Sequence, residues 1–500
     1  MKRPRAVFMA FGTKGDVHPI GAIAAAFATD KEVHYDVFFV THSSHKELID
    51  YLDLKQNINC YSISTPPVLS VNQHEHTNSD FAKTSFSETK KMIQTQHRKE
   101  CLFVVEQIFG GDFPNLIEDF IVINFFALEG WSLSELFRVR CVIAAPYVVP
   151  YSPPSSFERQ FKKEMPLLYK YFKDASLDKV NWRDVIHWMW PLFTENWCSW
   201  RQDSLNLSPF SFTDPVTSLP TYNLNDESPM LLYGFSNAIV ECPGYWPYNV
   251  HVCGFWFLPL ELQFSCKGCK EMTLVTTRLC PSHTNLQQFL EPTSCSLIFV
   301  GLSSIGSMGF LQNPRRFISV LKSVLDSTKD YRFVLFSSGY KPLDEAIRWY
   351  SSNELTSCRE EEDGTLLFSD RLFCFSGSIP YSWLFPKCTV AIHHGGSGTT
   401  AAALHAGIPQ IICPFMLDQF YWAERMCWIG VSSDVLHKNV LIPDNDDDVN
   451  ISAETLKKTI LSACSPKIKD RAVEVSCIIS SENGIQEAVK ILKEKIIYSS

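Results

Sequence analysis

Residue types able to do chemistry are concentrated between Val390 and Gly430, VAIHHGGSGTTAAALHAGIPQIICPFMLDQFYWAERMCWIG. His393 and His394 precede Gly395, Gly396, Ser397 and Gly398, hydroxyls follow at Thr399 and Thr400, and an acid beside an amide closes the stretch at Asp418 and Gln419. A helix start presents main-chain N–H groups that lack partners and the positive end of the helix dipole, and glycines let a bulky anion come close to that backbone. The chemistry invited at Gly395–Thr399 is therefore phosphate binding. An acid that accepts and an amide that both donates and accepts suit sugar hydroxyls at Asp418 and Gln419. A glycine turn by itself would be no more than a connection.

The elements that must position these residues can be read from the same stretch. The apolar run 389–392 has the form of a buried parallel strand, the glycines make a turn, and 399–405 continues as a helix. Gly407-Ile408-Pro409 then leads into a second apolar strand over 410–413, Pro414, and a helix that starts near Asp418. In a doubly wound sheet, ligands sit outside the carboxyl ends of the strands, so both loops face one crevice.

His394-Gly395-Gly396, Thr399-Thr400, Gly407-Ile408-Pro409, Pro414 and Asp418-Gln419 resemble the donor-sugar signature of the UDP-glycosyltransferase superfamily. The HHGGSGTT wording is most similar to its sterol 3-beta-glucosyltransferase-like and antibiotic glycosyltransferase branch. The resemblance implies an α/β chain with the GT-B fold, two Rossmann-like domains facing each other across a cleft. It implies an inverting enzyme that moves a hexose, glucose on the strength of the Asp418–Gln419 pair, from a UDP-sugar to a hydroxyl of a lipophilic acceptor such as a sterol. The UDP-sugar is a co-substrate; no cofactor and no metal are implied. His394, Gly396, Ser397, Gly398 and Thr399 would meet the diphosphate and Asp418 with Gln419 the sugar.

Three positions depart from the pattern. Ser303 stands where a glycine is expected, ahead of Ser304, the implied diphosphate contact. Ser378 occupies the place of a tryptophan that stacks on uracil in plant members, which leaves the backbone near Ile379 to read the base. Ala402 replaces a ribose-binding glutamate. A metal reading of His393–His394 is poor, because adjacent residues at a strand end point to opposite faces.

A second, shorter match opens the chain. The strand 6–11, the turn Gly12-Thr13-Lys14-Gly15-Asp16 and an alanine-rich helix over 21–27 begin a βαβ unit. GTKG lacks the GxGxxG spacing of a dinucleotide site. GTKGDVHPIGAIAAAF resembles the N-terminal motif of the same branch, and carries its candidate general base onto Asp16, with His18 as the alternative. A carboxylate can take the acceptor's hydroxyl proton as the new bond forms. The plain alternative is a helix cap, since an acid at a helix start satisfies free N–H groups.

Five hundred residues, 45% hydrophobic and 20% charged, exceed one ordinary core and suggest two domains. The expected division is an acceptor domain over 1–245, a linker region over 246–292, a UDP-sugar domain over 293–480, and a closing helix over 481–500 that packs back on the first domain. A net charge of −9 without a basic stripe argues against a nucleic-acid partner. Seventeen scattered cysteines suggest reduced thiols and a cytoplasmic protein. Cys266 and Cys269, followed by Cys280 and His283, are conceivable zinc ligands, but their spacing is not a standard one and the stretch reads as a loop. The basic start before a short apolar run is a first strand rather than a leader, and no window reaches the roughly 18 apolar residues of a membrane span. Peripheral membrane contact stays open: Trp182, Trp188, Trp190, Trp197 and Trp200 fit a domain core, the wall of a sterol-sized pocket or a bilayer surface. Two other functions stay open as well, a UDP-sugar epimerase and a non-catalytic UDP-sugar-binding protein.

Overall fold

The computed structural model describes residues 3–56, 58–67, 86–111, 114–146, 199–207, 230–240, 249–273, 278–302, 305–306, 310–353, 359–361, 364–415 and 418–497. Ser303, Ser304, Trp182, Trp188, Trp190 and Trp197 lie outside the described residues. Two compact units are formed, one from 1–153, 165–258 and 482–500, the other from 154–164 and 259–481.

The first unit holds strands β1 (Arg5–Met9), β2 (Asp36–His42), β3 (Asn59–Ile63), β4 (Phe120–Ile123), β5 (Arg140–Ala145), β6 (Met230–Tyr233) and β7 (Val250–Val252) in the order β3-β2-β1-β4-β5-β6-β7. All its pairings are parallel. Parallel strands are covered on both faces and need continuous apolar runs, and RAVFM and FIVI are buried along their whole length. Arg5 stays in this interior because Asp119 accepts from its main-chain N–H at 2.6 Å and from its Nε and Nη2 at 3.0 and 2.8 Å, a paired charge rather than a stranded one. The order reverses between β1 and β4. There β1 feeds helix α1 (Lys14–Thr29) through Gly12 and Thr13, and ligands collect at such switch points.

The second unit holds β8 (Ser296–Gly301), β9 (Tyr331–Phe336), β10 (Arg359–Glu361), β11 (Gly364–Leu367), β12 (Leu372–Phe375), β13 (Val390–His393) and β14 (Gln410–Ile412). Their order is β10-β11-β12-β9-β8-β13-β14, parallel from β12 to β14, with β10 and β11 added as an antiparallel edge. Side chains alternate across β8: Ile298 and Val300 join one core, Leu297 and Phe299 the other, so each face of the sheet carries its own packed layer. This order reverses between β8 and β13, and β13 carries the glycine turn.

The division differs from the expected one at its middle. The span 246–292 is no linker: β7 completes the first sheet, the units divide at Leu258 and Pro259, and helices Lys267–Thr273 and Thr284–Phe289 belong to the second unit. Helix Gly484–Leu492 packs on α1 within the first unit. There Lys493 donates to Asp30 at 3.1 Å and to Glu32 at 2.6 Å, and Ser236 donates to Glu482 at 2.6 Å.

Candidate functional site

In the second unit β13 ends at His393, and helix Ser397–Ala406 starts four residues later. Gly395 adopts φ +88, in the left-handed region, and a Cβ there would lie 2.7 Å from Ile412 Cγ2. Gly396 is required for a different reason: its φ of −62 suits any residue, but a Cβ would fall 2.5 Å from His394 Nε2. A Cβ at Gly398 would meet nothing within 4 Å, so the first turn has open space beside it. The N-cap position is held by Gly396, and no side chain caps the helix. A ten-residue helix with a glycine cap offers main-chain donors and the positive dipole end to whatever anion approaches.

Two buried polar atoms beside this turn, His394 Nδ1 and Thr400 Oγ1, have no hydrogen-bond partner among the described residues. Such orphans are uncommon in folded proteins and mark places where a ligand or ordered water completes the network. Burial, reinforced by neighbouring His393, pushes the pKa of His394 down to about 3. His394 is therefore a neutral imidazole near pH 7, able to meet an anion only by donating one N–H and not by carrying charge.

Sequence reasoning missed the part played by His393. Its Nδ1 accepts from Gly395 N at 3.0 Å and its Nε2 meets Gln410 Oε1 at 2.9 Å, so the ring ties the glycine turn to β14. With both nitrogens engaged it is a positioning residue for the turn. Thr399 is buried and bonds the Tyr381 hydroxyl, which links this helix to helix Tyr381–Leu384 beyond β12. The loop between them contains Ile379, buried at 4% exposure, and Ser378, whose N–H donates to Ser265 Oγ at 2.8 Å. Ala402 lies buried on helix Ser397–Ala406, facing the core and offering no polar group. Asp418 and Gln419 begin helix Gln419–Ile429 after β14: Asp418 Oδ2 accepts from Trp422 Nε1 at 3.2 Å and Gln419 Oε1 from Phe415 N at 2.9 Å. His394, Gly396, Ser397, Gly398, Thr399, Asp418, Gln419 and Ile379 thus all follow the carboxyl ends of β12, β13 and β14.

In the first unit Asp16 is the third residue of α1, and its Oδ2 accepts from Thr13 N at 2.6 Å and Thr13 Oγ1 at 2.7 Å. This is a capping box, so the cap is present in the geometry whatever else the carboxylate does. Gly12, at φ +103, must be glycine, because a Cβ would fall 2.6 Å from Asp16 Oδ2. Asn124, buried at the end of β4, clamps the turn from across the switch point: Nδ2 donates to Phe11 O at 2.8 Å and Asp16 O at 3.1 Å, and Oδ1 accepts from Phe11 N at 3.2 Å. His45 Nε2 reaches Gly12 O at 2.9 Å. His18, the other candidate base, has its pKa lowered to about 3 by burial and by His45 and Lys14, which makes it a poor proton acceptor near neutrality.

The chain accordingly carries buried neutral histidines in both units: burial lowers His18, His42 and His394 to about 3 and His393 to about 4. An unfolded histidine titrates near 6.5, so below that pH the unfolded chain binds protons that these folded sites refuse until about pH 4. His45 and His251 are lowered as well, chiefly by burial, while His97, raised by Cys101 and Glu129 against the effect of burial, works in the opposite sense. Stability is therefore expected to fall as pH drops from about 6.5 toward 4. Calorimetric melting temperatures across that range check it, and a flat profile would contradict it.

The fold and this arrangement define a class: the chain has the GT-B fold, with two Rossmann-like sheets. The solved glycosyltransferase of kitacinnamycin superposes with a TM-score of 0.59 at 12% identity, covering 99% of this chain and 100% of that one. A UDP-glucose:anthocyanidin 3-O-glucosyltransferase in complex with UDP gives 0.58 at 15%, covering all of both chains. Within that class the chain resembles the sterol 3-beta-glucosyltransferase-like branch of the UDP-glycosyltransferase superfamily. The family described as erythromycin biosynthesis protein CIII-like, C-terminal domain, matches residues 373–474. A sterol 3-beta-glucosyltransferase of Debaryomyces hansenii is 23% identical over 98% of this chain and 27% of its own length. One from Komagataella phaffii is 24% identical over 100% and 35%. One from Arabidopsis thaliana is 22% identical over 97% and 67%. The chain thus spans about a third or less of the two fungal relatives. Among the described residues, no helix is long and apolar enough to cross a membrane.

Proposed function

We propose that the chain is an inverting glycosyltransferase that moves a hexose, glucose in our reading, from a UDP-sugar to a hydroxyl of a lipophilic acceptor of the sterol class. The observation that carries this is the uncapped start of helix Ser397–Ala406 behind Gly395 and Gly396, with orphaned polar atoms on His394 and Thr400 beside it. In this reading the leaving diphosphate gains negative charge where the helix N–H groups and dipole already point, which lowers the barrier without reorganisation. Ser304 would add a hydroxyl to the diphosphate, main-chain groups near Ile379 would read the base, and Asp418 with Gln419 would hold the sugar hydroxyls. Asp16 would take the acceptor's proton as its oxygen attacks the anomeric carbon from the face opposite UDP, so that configuration inverts. The sterol assignment draws on the named fungal and plant relatives. The scattered reduced thiols support a cytoplasmic setting.

Incubation with UDP-glucose, a panel of sterols and phenols, and a control without acceptor tests this directly. A sterol gaining one hexose in the mass spectrum is the expected product. A new UDP-sugar in the control would point to the epimerase, and UDP binding without turnover over the whole panel would point to a sensor.

A further inference from the structure

Three cysteines and a histidine converge near the start of the second unit's 259–481 segment. Helix Lys267–Thr273 begins directly after Cys266, and a short turn over Pro281–His283 follows Cys280. The sulfurs of Cys266, Cys269 and Cys280 and one ring nitrogen of His283 all lie within 4.8 Å of one another. Sγ of Cys280 is 3.6 Å from that of Cys266 and 3.5 Å from that of Cys269, while His283 Nδ1 is 3.4 Å from Cys269 Sγ and 3.3 Å from Cys280 Sγ. A tetrahedral zinc ion, with zinc–sulfur about 2.3 Å and zinc–nitrogen about 2.0 Å, needs S···S of about 3.8 Å and S···N of about 3.5 Å. These four separations are within a few tenths of an ångström of that geometry, and Cys280 Sγ is too far from either neighbouring sulfur for a disulfide, which needs about 2.05 Å.

The surroundings are built for thiolates. Main-chain N–H groups of Gly268 and Cys269 point at Cys266 Sγ, and Cys280 N donates to Cys269 Sγ at 3.4 Å. Gly268 lets the helix start lie close to Cys280, since a Cβ there would sit 3.1 Å from Cys280 Cβ and 3.2 Å from its sulfur, a tight fit. In sequence the four residues read C-x2-C-x10-C-x2-H, two short knuckles rather than the finger spacing.

We propose that Cys266, Cys269, Cys280 and His283 form a structural zinc site, closed by four protein ligands, that holds in place the loop following β12. Three thiols give up their protons to solvent on binding, and His283 ligates as neutral imidazole through Nδ1. The link to the loop is direct. Ser265, next to Cys266, donates its N–H to Ser378 O at 3.0 Å and accepts from Ser378 N at 2.8 Å, while Ser378 Oγ donates to Gln263 O at 3.0 Å. The His283 ring also packs edge-on against Phe375, centroids 5.7 Å apart. That this loop reads uracil rests on the function proposed above; the metal site does not.

The full chain, expressed in zinc-supplemented medium and analysed by elemental mass spectrometry, is expected to hold about one zinc ion per chain. Replacing the metal with cobalt should give the visible spectrum of a tetrahedral thiolate-bound ion. Cys280→Ser and His283→Ala should each lose the metal and lower the melting temperature. Absence of stoichiometric zinc in the wild-type chain, iron in its place, or an octahedral cobalt spectrum would overturn the site. Chelation is further expected to weaken UDP binding about tenfold, on the order of one lost hydrogen bond. Unchanged UDP affinity after zinc removal would overturn the support given to the loop. Failure of the zinc-loaded chain to bind UDP at all would instead overturn the donor-site reading and leave the metal site standing.

Discussion

Asp16→Asn is expected to leave the chain folded and able to bind UDP while transfer falls by about 10²–10⁴-fold, the usual loss when a general base is removed. The substitution separates the two roles that the geometry allows this residue. Its oxygen already accepts from Thr13 N and Thr13 Oγ1, and asparagine keeps an acceptor oxygen of the same shape for that cap, so the stability change should stay below about 1 kcal/mol. A carboxamide cannot take a proton from a hydroxyl. Steady-state transfer rates, set beside UDP binding by calorimetry, read the two effects independently. If the variant turned over at the wild-type rate, Asp16 would be a cap and nothing more, and the base would have to be sought elsewhere; His18, neutral and buried, is not a ready substitute.

Gly395→Ala is expected to destroy donor binding and to destabilise the second unit by about 2–5 kcal/mol. Two costs add: a side chain in the left-handed region at φ +88 costs roughly 1–2 kcal/mol, and a methyl 2.7 Å from Ile412 Cγ2 and 3.1 Å from Gln419 O overpacks the site by roughly 1–3 kcal/mol more. Relief requires the turn to move away from β14, which breaks the bond from Gly395 N to His393 Nδ1 and shifts the start of helix Ser397–Ala406. Denaturant unfolding checks the first effect and UDP titration the second. Gly398→Ala is the matched control for stability alone, because a Cβ there meets no protein atom within 4 Å and the backbone needs no special conformation. Equal loss of stability in the two variants would show that the strain at Gly395 is not what holds the turn.

The donor half of the candidate site was legible because its parts are close in sequence. The strand, turn and helix that place His394 to Thr399 fall within a few residues, and local pattern specifies each. The residues that hold the turns were not legible, because their partners are distant. Nothing local marks Asn124, at the end of an apolar run, as the residue that clamps Phe11, 113 positions away. His393 gave no sign that its ring would join Gly395 to Gln410. Asp16 showed the opposite problem: both of its readings were visible, and spacing favours neither, since one carboxylate at a helix start satisfies both. The spacing of Cys266, Cys269, Cys280 and His283 is no standard zinc pattern, so the sequence favours a loop there, and only the fold brings Cys280 and His283 back beside Cys266 and Cys269. The division into units followed composition too closely, since a Pro- and Cys-rich stretch can still contain β7 and two helices.

Residues 482–497 belong to the first unit although residues 259–481 of the second unit separate them from the rest of it in the chain. On the ribosome, then, the portion made first is the portion finished last. Its surface along α1 and beneath Asp30 waits uncovered for more than two hundred residues of synthesis, while the second unit has everything it needs by residue 481. The unit that would receive the acceptor becomes whole only when helix Gly484–Leu492 arrives to close it.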